Sequence, residues 1–338
     1  MAPSHRPKAA YLMDPNRFDR VYGPDEQADL GALVDFIRPR PLTPDELQDA
    51  SLLADVSVIL ASWGMPQCTP ELLDLMPKLQ AVFYGAGAIS GWVTPEFWDR
   101  GIRVTTASSA NAIPVAEFTF AAIVMSLKRA FHQHATVRQQ QNFRRLPLHG
   151  AYKTTVGLVS MGLIGKLTRN LLRNLDVRVV AYDPYLSEAD GRALNVELVS
   201  LEDLFACAHV VSVHAPWTKA TQGMITGKLL SSMMPGAAFI NTARGAIVRE
   251  AELFSVLADR PDLQAIVDVT YPEPPVAGSP FYTLPNVFLT PHIAGSIDNE
   301  CRRMGRYMVD ELARFLSGKP LHYELTVQSL VGSAHEGV

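Results

Sequence analysis

Val156-Gly-Leu-Val-Ser-Met-Gly-Leu-Ile-Gly165 opens a stretch that closes on Val179-Val-Ala-Tyr-Asp183, and its reading decides the fold. The short apolar run Val156–Val159 is followed by a glycine-bearing turn. Apolar residues then recur at Leu163, Ile164, Leu167, Leu171, Leu172 and Leu175, which is helical spacing. A second apolar run, Val177–Tyr182, ends on an acid. Strand, turn, helix, strand, acid is the layout of a dinucleotide-binding βαβ unit. Gly162 lets the backbone approach a pyrophosphate, Gly165 lets helix and strand pack closely, and the helix N-terminus offers unpaired N–H groups to phosphates. Asp183 would accept hydrogen bonds from a ribose hydroxyl. Ser160 stands where the first glycine of the fingerprint belongs. The turn is expected to form with Ser160 at an ordinary negative φ, the phosphates being held from Gly162 onward.

Working outward, 338 residues suit two domains, and 48% hydrophobic with 19% charged residues can build sizeable cores. A net charge of −4 gives no electrostatic reason to expect nucleic acid or an anionic membrane as partner. Cys68, Cys207 and Cys301 are scattered and form no C-x-x-C, so neither a metal site nor a disulfide framework is expected. The N-terminal residues lack the apolar core of a signal peptide, and Phe118–Leu127 is short for a membrane span. A soluble, cytoplasmic protein is the expectation.

Before the central stretch, strands are expected at Ala9–Met13, Asp55–Leu60, Leu79–Phe83 and Ile102–Thr106. An amphipathic helix runs through Leu30, Leu33, Val34 and Ile37, and Thr69-Pro70-Glu71 and Thr94-Pro95-Glu96 are helix starts. Alternation of this kind argues a parallel α/β domain. Pro114–Lys128 reads as a long helix apolar almost all round, buried against something large, and Arg138–Tyr152 as a solvated connector. After Asp183, strands are expected at His209–His214, Ala237–Ile240, Ala265–Val269 and Asn286–Leu289. Helices are expected after Ser200 and Thr226 and over Glu250–Ala258. A last helix, from Ser296 to Gly318, carries Ile297, Met304, Met308, Leu312 and Phe315.

Ligands of open α/β sheets bind beyond the carboxyl ends of the strands, so polar residues there are the informative ones: Asp183, His214, Arg244, Asp268, Glu273 and His292. Beside a phosphate turn, an arginine, an acid and a histidine are what reduction of a 2-oxo acid needs. The arginine serves the carboxylate and carbonyl, the histidine donates a proton, and the acid keeps the donor charged.

At these positions the chain resembles the D-isomer-specific 2-hydroxyacid dehydrogenase family. The resemblance lies in Gly157–Gly165, Tyr-Asp-Pro at 182–184, His-Ala-Pro-Trp-Thr at 214–218 and Asn-Thr-Ala-Arg-Gly-Ala-Ile-Val at 241–248. It continues in Asp-Val-Thr-Tyr-Pro-Glu-Pro at 268–274 and Leu-Thr-Pro-His-Ile-Ala-Gly at 289–295. Glu273 follows Arg244 by 29 positions and His292 follows Glu273 by 19. A looser match at Gly85-Ala-Gly and Val115-Ala-Glu extends it over most of the chain.

The resemblance implies a Rossmann-type NAD-binding domain over 109–295 and a flavodoxin-like substrate domain over 1–108 and 296–338, with a cleft between them. It implies that Arg244 anchors substrate, His292 is the acid/base and Glu273 its carboxylate partner. NAD would be held by Ser160, Met161, Gly162, Leu163, Ile164, Gly165, Asp183, His214, Ala215, Pro216, Thr242, Ala243 and Asp268. Backbone N–H groups around Ala86, Gly87 and Ala88 would grip the substrate carboxylate. By position alone, after a strand of the first domain, Trp63 and Gly64 are candidates for side-chain selectivity. The helix from Pro114 resembles the family's dimer crossover, so a homodimer acting on a small 2-oxo or 2-hydroxy acid is expected. Ile89, Arg249 and Trp217 stand where aspartate, aspartate and leucine are usual, and none removes a catalytic group. Two rival readings use the same residues: oxidation of another small anion such as phosphite, and an NAD-sensing, corepressor-like binding protein.

Overall fold

The computed structural model describes residues 6–145 and 147–327. Residues 1–5, 146 and 328–338, which include both ends of the expected substrate domain, lie outside the described residues. The chain divides into two compact units, residues 6–111 with 296–327 and residues 112–295.

The first unit is built on β1 (Lys8–Leu12), β2 (Asp35–Phe36), β3 (Val56–Ala61), β4 (Ala81–Tyr84) and β5 (Arg103–Thr106). They pair in parallel in the order β5-β4-β3-β1-β2, and the short strand Glu324–Leu325 lies antiparallel on β5. This is the flavodoxin-like order, whose direction reverses between β1 and β3. β4 is buried at every residue, as a parallel strand covered on both faces requires. Ile59, Val82 and Val104 point into one core, and Leu60, Ala81 and Phe83 into the other with Met304, Met308 and Leu312.

The second unit holds β6 (Thr155–Val159), β7 (Arg178–Tyr182), β8 (Glu197–Leu198), β9 (Val210–Val213), β10 (Ala238–Asn241), β11 (Gln264–Val267) and β12 (Val287–Leu289). All pair in parallel, in the order β12-β11-β10-β9-β6-β7-β8. Numbered within the unit this is the Rossmann order with a seventh strand appended, and the direction reverses between β6 and β9. Val159, Val213, Phe239 and Val267 serve one face, Leu158, Val210, Ile240 and Ile266 the other.

Four expectations about elements need correction. The helix expected through Leu30, Leu33, Val34 and Ile37 spans Pro24–Leu33; Val34 is its extended C-cap, and the chain goes on into β2. The helix expected from Pro114 begins at Ser108 and runs to Leu127 with Pro114 inside it. Burial of Ala110, Ala112, Ala116 and Ile123 outweighs the one backbone bond that proline removes. At 20 residues this helix is long and apolar enough to cross a membrane by length and composition. Just over half of its most apolar window, 56%, is buried, and a core helix passes the same test. A helix not expected from the sequence, Ala130–Gln140, precedes the expected connector at Arg138 and enters its first three residues, flanked by left-handed residues Arg129 and Gln141. It lacks an apolar stripe, and Phe131 ties it to the sheet by stacking on Phe288 at 4.2 Å. The last helix spans Cys301–Leu316, after a single 3-10 turn at Asp298–Glu300.

Candidate active site

The phosphate turn follows β6. Gly162 is the N-cap of the helix Leu163–Leu172, and no side chain caps it, so its first N–H groups face outward unpaired by the helix. A Cβ on Gly162 would meet nothing within 4 Å, whereas one on Gly165 would lie 2.3 Å from the Ser160 carbonyl oxygen. Glycine at 165 is what lets the helix pass this close to the turn. Ser160 corrects the sequence-based expectation, because its φ is +75°. The turn keeps the left-handed geometry that a glycine would adopt, and the surrounding bonds impose it on a serine. The Ser160 N–H donates to the Tyr182 carbonyl at 2.8 Å.

Asp183, at the carboxyl end of β7, is held by three protein donors. Its Oδ2 accepts the Met161 N–H at 2.7 Å and the Ser160 hydroxyl at 3.4 Å, and its Oδ1 accepts the Tyr185 N–H at 2.9 Å. His214 directly follows β9 beside the switch point. It is 8% exposed, and both ring nitrogens are buried without a partner among the described residues. Burial pushes its pKa down to about 4, so the ring is neutral and offers one donor and one acceptor. Ala215 is buried beside it and Pro216 is exposed. Thr242, after β10, is buried and shares a 3.0 Å hydrogen bond with Thr119. Ala243 is buried as well.

The loops after β10, β11 and β12 carry the other candidates. Asn241 shapes the first: its Oδ1 accepts the Ala243 N–H at 3.1 Å and its Nδ2 donates to the Arg244 carbonyl at 3.0 Å. Arg244 is exposed and gives one N–H to the Ala243 carbonyl at 2.7 Å. The rest of its five-donor fork is left for a ligand. Gly245 brings this loop against the next, since a Cβ there would lie 2.0 Å from the Thr270 carbonyl carbon.

Asp268, 2% exposed, organises the loop after β12. Its Oδ1 accepts the Thr290 hydroxyl at 2.6 Å and the Ile293 N–H at 2.9 Å, and its Oδ2 accepts the Ala294 N–H at 2.9 Å. Between those anchors His292 sits at φ +53° and donates its N–H to the Asp268 carbonyl at 3.0 Å. A left-handed histidine costs on the order of 1 kcal/mol, and the Asp268 clamp offsets it. The result is a 2.6 Å contact between His292 Nδ1 and Glu273 Oε1, with both side chains partly exposed.

In the first unit, Trp63 and Gly64 follow β3. Gly64 has φ +84°, and a Cβ there would approach the Asp14 backbone nitrogen to 2.7 Å. Trp63 is half-buried, accepts the Asp14 N–H at 2.9 Å and has the Arg17 guanidinium 5.3 Å from its ring centre. The loop after β4 differs from expectation at Ala86. That residue is fully buried, and its N–H already donates to the Tyr84 carbonyl at 2.8 Å. Gly87 and Ala88 are the more exposed members of the loop.

A dinucleotide needs N–H groups for its phosphates, an acceptor for its ribose and partners for its amide. The uncapped helix behind Gly162, the fixed Asp183 carboxylate and the orphaned His214 ring fit those needs. Sequence reasoning gave no role to Asn241 or Gly245, although both stand inside a quoted motif; the requirement at Gly245 is a clearance that no residue pattern displays. Among the described residues there is no cluster of three or more His, Cys, Asp or Glu able to hold a metal ion.

The family model for the NAD binding domain of D-isomer specific 2-hydroxyacid dehydrogenases matches residues 120–294. A D-3-phosphoglycerate dehydrogenase of Mycobacterium tuberculosis is 32% identical over 251 residues, 74% of this chain and 47% of that protein. The (S)-sulfolactate dehydrogenase of Chromohalobacter salexigens is 32% identical over 248 residues, 73% of this chain and 80% of that protein. The crystal structure of apo D-mandelate dehydrogenase from Rhodotorula graminis matches with a TM-score of 0.80 and 25% identity, covering 95% of this chain and 98% of that one. The chain spans about half the length of the phosphoglycerate dehydrogenases it matches.

Proposed function

The chain belongs to the D-isomer-specific 2-hydroxyacid dehydrogenase family, and we propose that it interconverts a 2-oxo acid and a D-2-hydroxy acid. NAD(H) is the cofactor of the family's nucleotide-binding domain, and when bound it supplies or accepts the hydride. In this reading the residues after β6, β7 and β9 hold it: Ser160 to Gly165, Asp183 and His214 to Pro216. Thr242, Ala243 and Asp268 complete the set.

The observation that carries the reading is the 2.6 Å pair of His292 and Glu273, two loops along the sheet edge from Arg244. With Glu273 ionised, Nδ1 carries a proton, which leaves Nε2 as the atom that exchanges a proton with substrate. In reduction the charged ring donates from Nε2 to the carbonyl oxygen, and in oxidation the neutral ring takes the hydroxyl proton. Arg244 holds the substrate carboxylate through its fork and offsets charge developing on the oxygen. Gly87, Ala88, Trp63 and Gly64 are proposed to meet the rest of the substrate.

The same reading includes a homodimer and a reducing, cytoplasmic setting. Support for the first is the apolar helix Ser108–Leu127 with Met125 exposed, and for the second three free cysteines.

The test is steady-state oxidation of NADH with a panel spanning glyoxylate, hydroxypyruvate, pyruvate and branched or aromatic 2-oxo acids. Turnover of at least one member is expected. Intact NADH binding with no turnover would instead favour an NAD-sensing protein. NAD-linked oxidation of phosphite alone would favour the inorganic-anion reading.

A further inference from the structure

The loop that carries Glu273 is tied to the loop that carries Arg244 at two points. One is the close approach of Gly245 to the Thr270 backbone. The other is Glu250, first residue of the helix Glu250–Asp259, whose Oε1 accepts the Tyr271 N–H at 2.7 Å. Tyr271 lies two residues before Glu273. Apart from the Glu273 contact with His292, the polar bonds seen in this segment among the described residues are internal to it: the Thr270 hydroxyl donates to the Pro272 carbonyl at 2.9 Å, and the Thr270 N–H to Glu273 Oε2 at 3.4 Å. The exposed Tyr271 ring adds an edge contact with Trp217, at 5.3 Å between centres.

We propose that Glu250 is a positioning residue for the reaction, fixing the 270–273 loop so that Glu273 stays on His292 Nδ1. The inference rests on the acid/base reading of His292. Glu250 is freed for this task by its neighbours. Arg249 points elsewhere, with Nε on the Gly223 carbonyl and Nη1 on Glu252. A helix N-terminus favours a charged carboxylate, yet burial wins here and pushes the Glu250 carboxyl up to about 7. Either protonation state retains an oxygen that accepts the Tyr271 N–H. The need is therefore for an acceptor at that distance rather than for a charge.

That distinction sets the experiment. Wild type, Glu250→Gln, Glu250→Leu and Glu273→Gln are compared by pH profiles of kcat/KM for NADH-dependent reduction, by KM for NADH and by thermal unfolding. Glu250→Leu should move the alkaline limb to lower pH in the direction of Glu273→Gln and lower kcat/KM by about tenfold, with KM for NADH unchanged. Glu250→Gln keeps the acceptor and should stay within about twofold of wild type. A folded Glu250→Leu whose limb stays at the wild-type position overturns the proposal, as does Glu250→Gln being equally damaged. If Glu250→Leu fails to fold, amide hydrogen exchange in wild type and Glu250→Gln decides. The Tyr271 N–H should be protected by about a hundredfold in both, and free exchange overturns the assignment. A limb that Glu273→Gln itself leaves unmoved sinks the histidine reading and this one with it. A limb moved by Glu273→Gln but not by Glu250→Leu sinks only the role of Glu250.

Discussion

Replacing Glu273 by Gln removes a negative charge 2.6 Å from His292 Nδ1 while keeping an oxygen that can accept a hydrogen bond. Two unit charges at that distance attract by about 1.6 kcal/mol in bulk water. The two side chains are 47% and 42% exposed, so solvent and salt screen the pair, and the retained hydrogen bond reduces the loss to roughly 0.5–1 kcal/mol. That energy favours the charged ring in wild type. Its removal should move the alkaline limb of reduction to lower pH. Oxidation needs the neutral ring, so its acidic limb should move the same way. The assay is a pair of kcat/KM profiles, one per direction, on wild type and Glu273→Gln, because kcat/KM reports groups of the free enzyme. A limb that stays still, or moves up, with the chemical step rate-limiting would refute the pairing.

With Asp183 as the proposed ribose partner, its carboxylate, pinned by three donors, would repel a 2′-phosphate; efficiency should be clearly higher with NADH than with NADPH, and equality would remove Asp183 from that role. Ser160→Gly relieves a left-handed serine and should raise stability by about 1 kcal/mol in denaturant unfolding; a loss would mean that the hydroxyl contact with Asp183 outweighs the strain. Gly245→Ala would set a methyl 2.0 Å from the Thr270 carbonyl carbon; the variant should fold poorly or lose reductase activity through a displaced Glu273 loop, and normal folding with normal activity would contradict the close approach. His214, with its pKa lowered to about 4 from 6.5, is neutral in the folded chain while the unfolded chain takes up the proton first. Stability on this account is whole above about pH 6.5 and declines toward pH 4 by at most about 3 kcal/mol. His214→Gln should flatten that part of a denaturant-midpoint profile, and an unchanged profile would contradict the buried neutral ring.

What was legible in the sequence is what periodicity and strand-end chemistry encode. Buried parallel strands such as Val210–Val213 are written as apolar runs, and the helix after Gly162 is written in its leucines. That order also led to His292 and Glu273, whose residue types mark them at strand ends. Positions set by long-range bonds were not legible. A serine argues for a negative φ, and only the bonds from Ser160 to Tyr182 and from Met161 to Asp183 show why it is positive. The sequence suggests Ala86 as an N–H donor to substrate, whereas its N–H is bonded to the Tyr84 carbonyl. The resemblance points to Asp268 as a cofactor contact, yet its buried carboxylate also holds the His292 loop, a task that depends on partners 22 to 26 residues away. The helix Ala130–Gln140 carries no apolar stripe and relies on Phe131 meeting Phe288, far along the chain.

The account is tested most directly by following deuterium from NADH labelled at the transferring C4 position into product. With the best 2-oxo acid of the panel, chiral separation and mass spectrometry should find the D-2-hydroxy acid carrying one deuterium at C2. His292→Ala, still binding NADH, should form it only slowly. An L-product, a product without label, or undiminished turnover by His292→Ala would contradict the central claim.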